Sequence, residues 1–253
     1  MGFHAQISIL SRVWSLLPVR CLLCSQWDAQ RLCAACLRDA APGPTAEHRP
    51  RCRGCGLRLA VGVVTCADCS RDPPPHGAVT VAVDYAPPWD RLLLRYKFSD
   101  HPEWAGALAL LLARALDGAE RRETRDAPVR VVPIPLSPER LSQRGYNQAW
   151  EVARRLARSL RLPARADVLL RPVDLPGQAE QGRQDRLKRL RGVFQVNPRG
   201  RPWVAGQTVA LVDDVLTTGA TVREAARALQ AAGAREVLVW AVARTPPVVD
   251  GPS

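Results

Sequence analysis

Two groups of residues in this sequence have the types and spacing to do chemistry. The first is the chain's eight cysteines, arranged as four C-x-x-C pairs: Cys21/Cys24, Cys33/Cys36, Cys52/Cys55 and Cys66/Cys69. Four thiolates placed tetrahedrally suit Zn2+, and two such knuckles furnish one site. The spacing predicts two zinc ions, one on Cys21, Cys24, Cys33 and Cys36, the other on Cys52, Cys55, Cys66 and Cys69. An interleaved pairing of the same four knuckles is the alternative. Two complete sets leave no open coordination position, so the expected zinc is structural rather than catalytic. A secreted disulfide framework would seldom set every cysteine two residues from a partner. Gly56, closing Cys52-Arg-Gly-Cys-Gly56, can take the positive φ that turns backbone N–H groups toward the sulfurs.

The second group is the run Val209-Ala-Leu-Val-Asp213-Asp214-Val-Leu-Thr217-Thr218-Gly219-Ala220-Thr221. An apolar strand ends in two adjacent carboxylates, then turns through hydroxyls and a glycine into a helix. In open α/β sheets the ligand crevice lies outside the carboxyl ends of the strands. The helix start offers unpaired N–H groups and a positive dipole end, a natural seat for phosphate. The carboxylates would repel a phosphate, so they suit what lies next along the ligand: sugar hydroxyls, or a hard cation such as Mg2+. Phosphate followed by diol describes a ribose 5-phosphate. The plain alternative is a capped strand–helix turn with an incidental acidic pair, which would be costly to bury without a partner.

These residues need a frame, and the rest of the chain predicts one. Strands are expected over Ala78–Tyr85, Val129–Ile134, Thr208–Val212 and Glu236–Val242. Helices are expected from Asp100 to about Leu116, over Gln148–Leu160 and over Thr221–Ala232. Strand–helix–strand at this spacing is a parallel crossover, so the main domain is an α/β open parallel sheet. A small zinc-ribbon domain is expected over residues 1–72 and the α/β domain over 73–253. The stretch 171–191 lacks apolar periodicity and predicts a long loop. The longest apolar stretch, Ala105–Ala113, is too short to span a membrane, and the first twenty residues do not resemble a secretory leader. A cytoplasmic protein is expected.

The chain has 253 residues and a formal net charge of +12. That excess is concentrated: residues 121–201 carry 19 cations and 8 anions, a net of +11. Such a concentration reads as a footprint for phosphates, on a nucleotide, a sugar or a nucleic acid; solvated helix faces in an arginine-rich chain are the bland alternative. Arg154, Arg155 and Arg158 lie off the apolar face of their helix and are the expected contacts to a nucleic-acid backbone. Tyr146, Trp150 and Trp203 could stack bases, although ordinary packing accounts for them as well.

The run 209–221 resembles the PRPP-binding signature of type I phosphoribosyltransferases. More of the chain resembles one branch, the ComF family of competence-related proteins. The shared marks are the N-terminal knuckles, Tyr96-Lys97-Phe98, Val132-Pro-Ile-Pro-Leu136 followed by Arg140, Arg144, Gly145, Asn147 and Gln148, and a late Gln178…Arg186…Phe194 loop. The resemblance implies that Asp213 and Asp214 hold ribose hydroxyls and that Thr217, Thr218, Gly219, Ala220 and Thr221 hold the 5-phosphate. It also implies Mg2+ carried on the pyrophosphate of PRPP. Arg140 and Arg144 are then expected to clamp the leaving phosphates. The resemblance leaves two functions: transfer of phosphoribosyl to an unidentified acceptor, or handling of single-stranded DNA with DNA-uptake proteins as partners and no turnover.

Overall fold

Apolar residues alternating at a spacing of two build the sheet on which everything else rests. A computed structural model of the chain describes residues 18–40, 50–98, 101–120, 129–172 and 192–247. Four strands, β3 (Val79–Asp84), β4 (Val129–Pro133), β7 (Thr208–Leu216) and β8 (Glu236–Arg244), form a parallel sheet in the order β3-β8-β7-β4. Each strand sends alternate residues into two cores. Ala210, Val212, Trp240 and Val242 face the core shared with helices α3 (Trp89–Phe98), α4 (Ala105–Glu120) and α6 (Gln148–Leu160). Val209, Leu211, Val237 and Val239 face the core covered by α8 (Ala220–Ala231). Residues buried on both faces explain why these strands read as nearly continuous apolar runs.

The expected strands are all present, and the helix over Gln148–Leu160 has the expected bounds. Two strands run further than expected. β7 continues to Leu216 and β8 to Arg244, so the acid pair lies within β7 rather than beyond its end. The reason is one-sided pairing. β4 leaves the ladder at Pro133, opposite Val212, and Pro135 has no N–H to extend it. β8 stays paired with β7 as far as Arg244 opposite Leu216. Asp100 lies outside the described residues; a short 3-10 turn, Pro102–Trp104, precedes α4. Helices α3 and α5 (Pro138–Arg144) were not expected, nor were the short ribbon of β5 (Leu169–Leu170) with β6 (Gln195–Val196) and the short helix α7 (Arg201–Val204). The apolar positions Leu92, Leu93 and Tyr96 give α3 a readable helical face.

The cysteine-rich segment packs on the sheet in two places. Its first half has a short ribbon, β1 (Val19–Arg20) with β2 (Trp27–Asp28), and helix α1 (Ala34–Ala40). Cys21, Leu32, Cys33 and Leu37 join the core on the α4 side. The second half, which ends in α2 (Ala67–Arg71), sits on the β3 edge, where Val79 N–H donates to the Arg53 carbonyl at 2.8 Å. Arg51 and Arg58 reach the β3 terminus, each binding one oxygen of Asp84, at 2.7 and 2.6 Å. The expected long loop falls almost wholly outside the described residues, Gln178 and Arg186 with it, while Phe194 is buried in the α8-side core.

Gly56 has a second reason to be glycine that the spacing of the knuckle did not reveal. Its φ is +73°, and an added Cβ would stand 2.6 Å from Val81 Cγ2 on β3. Gly62, at φ +86°, has open space around it. Gly56→Ala is therefore expected to cost about 2–4 kcal/mol, combining left-handed strain with overpacking. Gly62→Ala should cost only the strain, about 1–2 kcal/mol. Urea unfolding of both variants checks this, and equal losses would refute it.

Candidate functional site

The eight cysteines assemble as two local groups, Cys21/Cys24/Cys33/Cys36 and Cys52/Cys55/Cys66/Cys69, each with all four sulfurs within 4.8 Å of one another. The interleaved pairing is not adopted. Cys24 Sγ lies 3.6 Å from Cys33 Sγ, and Cys55 Sγ lies 3.7 Å from Cys66 Sγ. A tetrahedron with metal–sulfur bonds of about 2.3 Å has edges of about 3.8 Å, so the donor sets fit a metal ion without rearrangement. Backbone N–H groups point at thiols in both sets. Cys33 N–H points at Cys21 Sγ at 3.4 Å, and Cys66 N–H at Cys52 Sγ at 3.3 Å. Burial opposes ionisation of Cys21 and Cys52, but the backbone N–H groups outweigh it and bring the thiols down to about 6 and about 7. Burial then pushes Cys36, Cys55 and Cys69 up, and neighbouring sulfurs add to it. A divalent cation relieves that conflict.

At the carboxyl end of β7 the two acids are held differently. Asp214 is buried, with Oδ1 accepting from Val215 N–H at 2.7 Å. Its Oδ2 makes no hydrogen bond and faces Lys97 Nζ at 3.4 Å. Asp213 is partly buried, and its Oδ1 accepts from Asp214 N–H at 2.9 Å. Loss of water first, then the Asp214 charge, push the Asp213 carboxyl well above the usual carboxylate range, while Lys97 pulls it back.

Beyond the acids the chain turns through Thr217, which is exposed, and Thr218 into α8. Gly219 is the N-cap residue at φ +79°, with open space where a side chain would stand. Thr218 Oγ1 accepts from Ala220 N–H at 3.3 Å, which holds the turn closed. The first N–H groups of α8 have no partner inside the helix, as at any helix start. Thr217, Thr218 and Gly219 thus form the turn at the sheet's carboxyl edge, two residues beyond the acid pair, and Ala220 and Thr221 open α8.

Arg140 and Arg144 lie on α5, between β4 and α6. Buried Ser137 starts that helix by accepting from Arg140 N–H at 3.3 Å. Arg144 Nη1 donates to Gln148 Oε1 at 3.3 Å, and its guanidinium lies over the ring of exposed Phe98, 5.6 Å from its centre. Gln148 Nε2 in turn donates to the Lys97 carbonyl at 3.4 Å. A continuous path therefore joins Arg144 to Asp214 through Gln148 and Lys97. Asn147 caps α6 and ties it to the end of β4 by donating to the Ile134 carbonyl at 3.0 Å. Tyr96, buried, donates to the Gln148 carbonyl at 3.0 Å.

Lys97 and Gln148 were legible only as marks of resemblance, not as parts of a site. Arg244 carried no signal at all. The aromatic residues pack as ordinary core and rim: Tyr146 and Trp150 lie against the α4-side core, and Trp203 lies beneath Arg130 and Arg165. Two of the three arginines expected to face a nucleic acid are already engaged, since Glu151 binds both Arg154 and Arg155. That carboxylate stands i, i+3 and i, i+4 from them on α6, and both arginines stay partly exposed. Among the described residues no helix is long and apolar enough to cross a membrane.

Comparison with known proteins agrees with this geometry. The phosphoribosyl transferase domain family matches residues 146–247. DNA utilization protein YhgH of Escherichia coli O157:H7 is 32% identical over 90% of this chain and 98% of its own length. Competence protein F of Haemophilus influenzae is 31% identical over 84% of this chain and 90% of its own. Orotate phosphoribosyltransferase of a Nocardioides species is 56% identical over 46 residues, 18% of this chain and 26% of that one.

A carboxyl that is harder to ionise in the folded chain than in the unfolded one lowers stability as pH rises above the ordinary carboxylate range. Asp213→Asn keeps the oxygen that accepts from Asp214 N–H and removes the charge. It is expected to stabilise the chain by about 1–2 kcal/mol near neutral pH and to be neutral below about pH 4. Thermal melts of both proteins across pH check the sign; a gap that does not widen with rising pH would contradict it.

Proposed function

We infer a PRPP-type site at the acid pair and threonine turn, because this chain belongs to the ComF family, which includes DNA utilization protein YhgH and competence protein F. The observation that carries this reading is the order of groups at the end of β7: two acids, then a turn with an open backbone at Gly219 leading into a helix start. Asp213, the less buried of the two acids, and Asp214 beside it accept the ribose hydroxyls. Thr217, Thr218, Gly219, Ala220 and Thr221 hold the 5-phosphate. Arg140 and Arg144 neutralise the departing phosphates. Mg2+, which suits the hard oxygen donors of this site, supplies charge neutralisation at the pyrophosphate when bound with PRPP. Lys97 keeps the acid pair compensated until the sugar arrives.

Transfer would break the bond between the anomeric carbon and a pyrophosphate oxygen and join that carbon to an acceptor. The carboxylates fix the ring while the arginines take up the charge that leaves. In the same reading residues 1–72 are a structural double zinc-ribbon domain and 73–253 the transferase-like domain. A second reading, in which the same fold handles single-stranded DNA without turnover, draws support from relatives named for DNA utilization and competence. The +11 balance of residues 121–201 is the feature of this chain that would support it.

Isothermal titration with PRPP and Mg2+ is expected to show binding, and Asp214→Asn to weaken it by about 1.5–3 kcal/mol through lost charge-assisted hydrogen bonds. No heat with the wild-type protein would overturn the PRPP reading. Repeating the titration with a single-stranded oligonucleotide at rising salt separates the alternatives. Backbone contacts make affinity fall with a log–log slope of about −0.7 per phosphate engaged, and a shared site makes PRPP compete.

Metal analysis of protein purified under reducing conditions is expected to give two zinc ions per chain. One ion or none would overturn the assignment of both cysteine groups.

A further inference from the structure

The described part of the molecule holds a buried cation that touches both the threonine turn and a cysteine group. Arg244, at the end of β8, is 6% exposed. Its Nε donates to the Cys55 carbonyl at 2.8 Å. Its Nη1 donates to the carbonyls of Leu216 at 3.2 Å and Thr245 at 2.7 Å, and also to that of Thr217. Leu216 is the last residue of β7 and Thr217 the first of the turn. One guanidinium therefore fixes where the turn leaves the sheet and does so from a knuckle of the second cysteine group.

We propose that Arg244 is a positioning residue for the turn Thr217–Thr221, and that the second cysteine group, Cys52/Cys55/Cys66/Cys69, sets Arg244 through the Cys55 carbonyl. Its consequence for ligand binding rests on reading that turn as the phosphate seat. A guanidinium is a planar, forked donor, so its carbonyl partners are held in fixed relative directions. A phosphate seat made of backbone N–H groups works only if those groups converge before the anion arrives. The carbonyls of Leu216 and Thr217 belong to the peptide planes that lead into that seat, so holding them aims the N–H groups of the turn.

The Cys55 carbonyl has its own support. The knuckle is closed by Gly56 N–H on the Cys52 carbonyl at 2.8 Å and Cys52 N–H on the Leu57 carbonyl at 2.7 Å. Arg51 Nη1 binds the Gly56 carbonyl at 2.9 Å while holding Asp84. The four sulfurs of this group stand within 4.8 Å of one another, so one metal ion bound by all four would hold the knuckle in shape. The first cysteine group is placed differently. Its buried members, Cys21 and Cys33, pack in the core on the α4 side, whereas Cys55 of the second group gives its carbonyl to Arg244. Metal bound by the second group therefore governs the turn, and metal bound by the first does not.

Hydrogen exchange read by mass spectrometry on the full-length, zinc-loaded chain tests this, with PRPP titration alongside. Arg244→Met and Cys66→Ser are each expected to speed exchange in a peptide spanning 214–222 by about tenfold or more, while a peptide spanning 105–117 keeps its protection. Cys24→Ser should leave 214–222 unchanged. Arg244→Lys, which retains a donor, should recover part of the protection. PRPP affinity should fall by about tenfold or more in the first two variants. Unchanged exchange in 214–222, or a loss spread evenly over the chain, would overturn the proposal. If the wild-type chain does not bind PRPP, the phosphate reading fails, and exchange in 214–222 still decides the coupling.

Discussion

The arrangement depends on how the β3, β8 and β7 ends are held level. Asp84, Arg244 and Leu216 stand abreast in the parallel ladder. At those ends the Arg244 carbonyl accepts from Tyr85 N–H and the Leu216 carbonyl from Thr245 N–H, and the remaining polar groups must be met without closing the carboxyl edge of the sheet. The chain solves this with guanidinium groups. Arg51 and Arg58 hold Asp84, and Arg244 gathers carbonyls from β7, the turn and a knuckle 189 residues away in sequence. The cysteine-rich segment thereby covers the β3–β8 half of the edge. The β7 half, with the acid pair, is left to the turn and to Lys97.

That division explains the charges in the site. Two adjacent carboxylates at a buried strand end are unfavourable for folding, and Lys97, 3.4 Å from Asp214, compensates them. Asp214 Oδ2 is left without a hydrogen bond and Asp213 is discouraged from ionising. A core evolved for stability alone would not keep such a pair.

Much of this was legible in the sequence because it depends on local pattern. The four C-x-x-C pairs gave both cysteine groups, Gln148–Leu160 gave its helix to the residue, and the acid pair, threonines and Gly219 marked the strand–turn–helix. What failed to show depends on partners distant in sequence. The extension of β7 past Val212 comes from β4 stopping at its prolines while β8 continues, a fact about neighbours rather than about residues 213–216. Lys97 looks like any helix lysine until α3 is seen to end beside Asp214. Arg244 looks like one more arginine in an arginine-rich chain. The engagement of Arg154 and Arg155 by Glu151 could have been read from i, i+3 and i, i+4 spacing.

The two cysteine groups, alike in sequence, are not equivalent in the fold, and this bears on why both are present. The first contributes buried surface to the α4-side core through Cys21, Leu32, Cys33 and Leu37, so its value is that of any packed appendage. The second contributes directed contacts: Gly56 against Val81, Arg51 and Arg58 on Asp84, and the Cys55 carbonyl on Arg244. Directed contacts lose their worth with small displacements, whereas apolar packing tolerates them. A knuckle whose four thiolates shared one metal ion would suit the second task, since four ligands would fix its backbone more tightly than so short a segment could fix itself by burial. The stiffer device would then stand where direction matters, beside the strand ends from which the turn leaves.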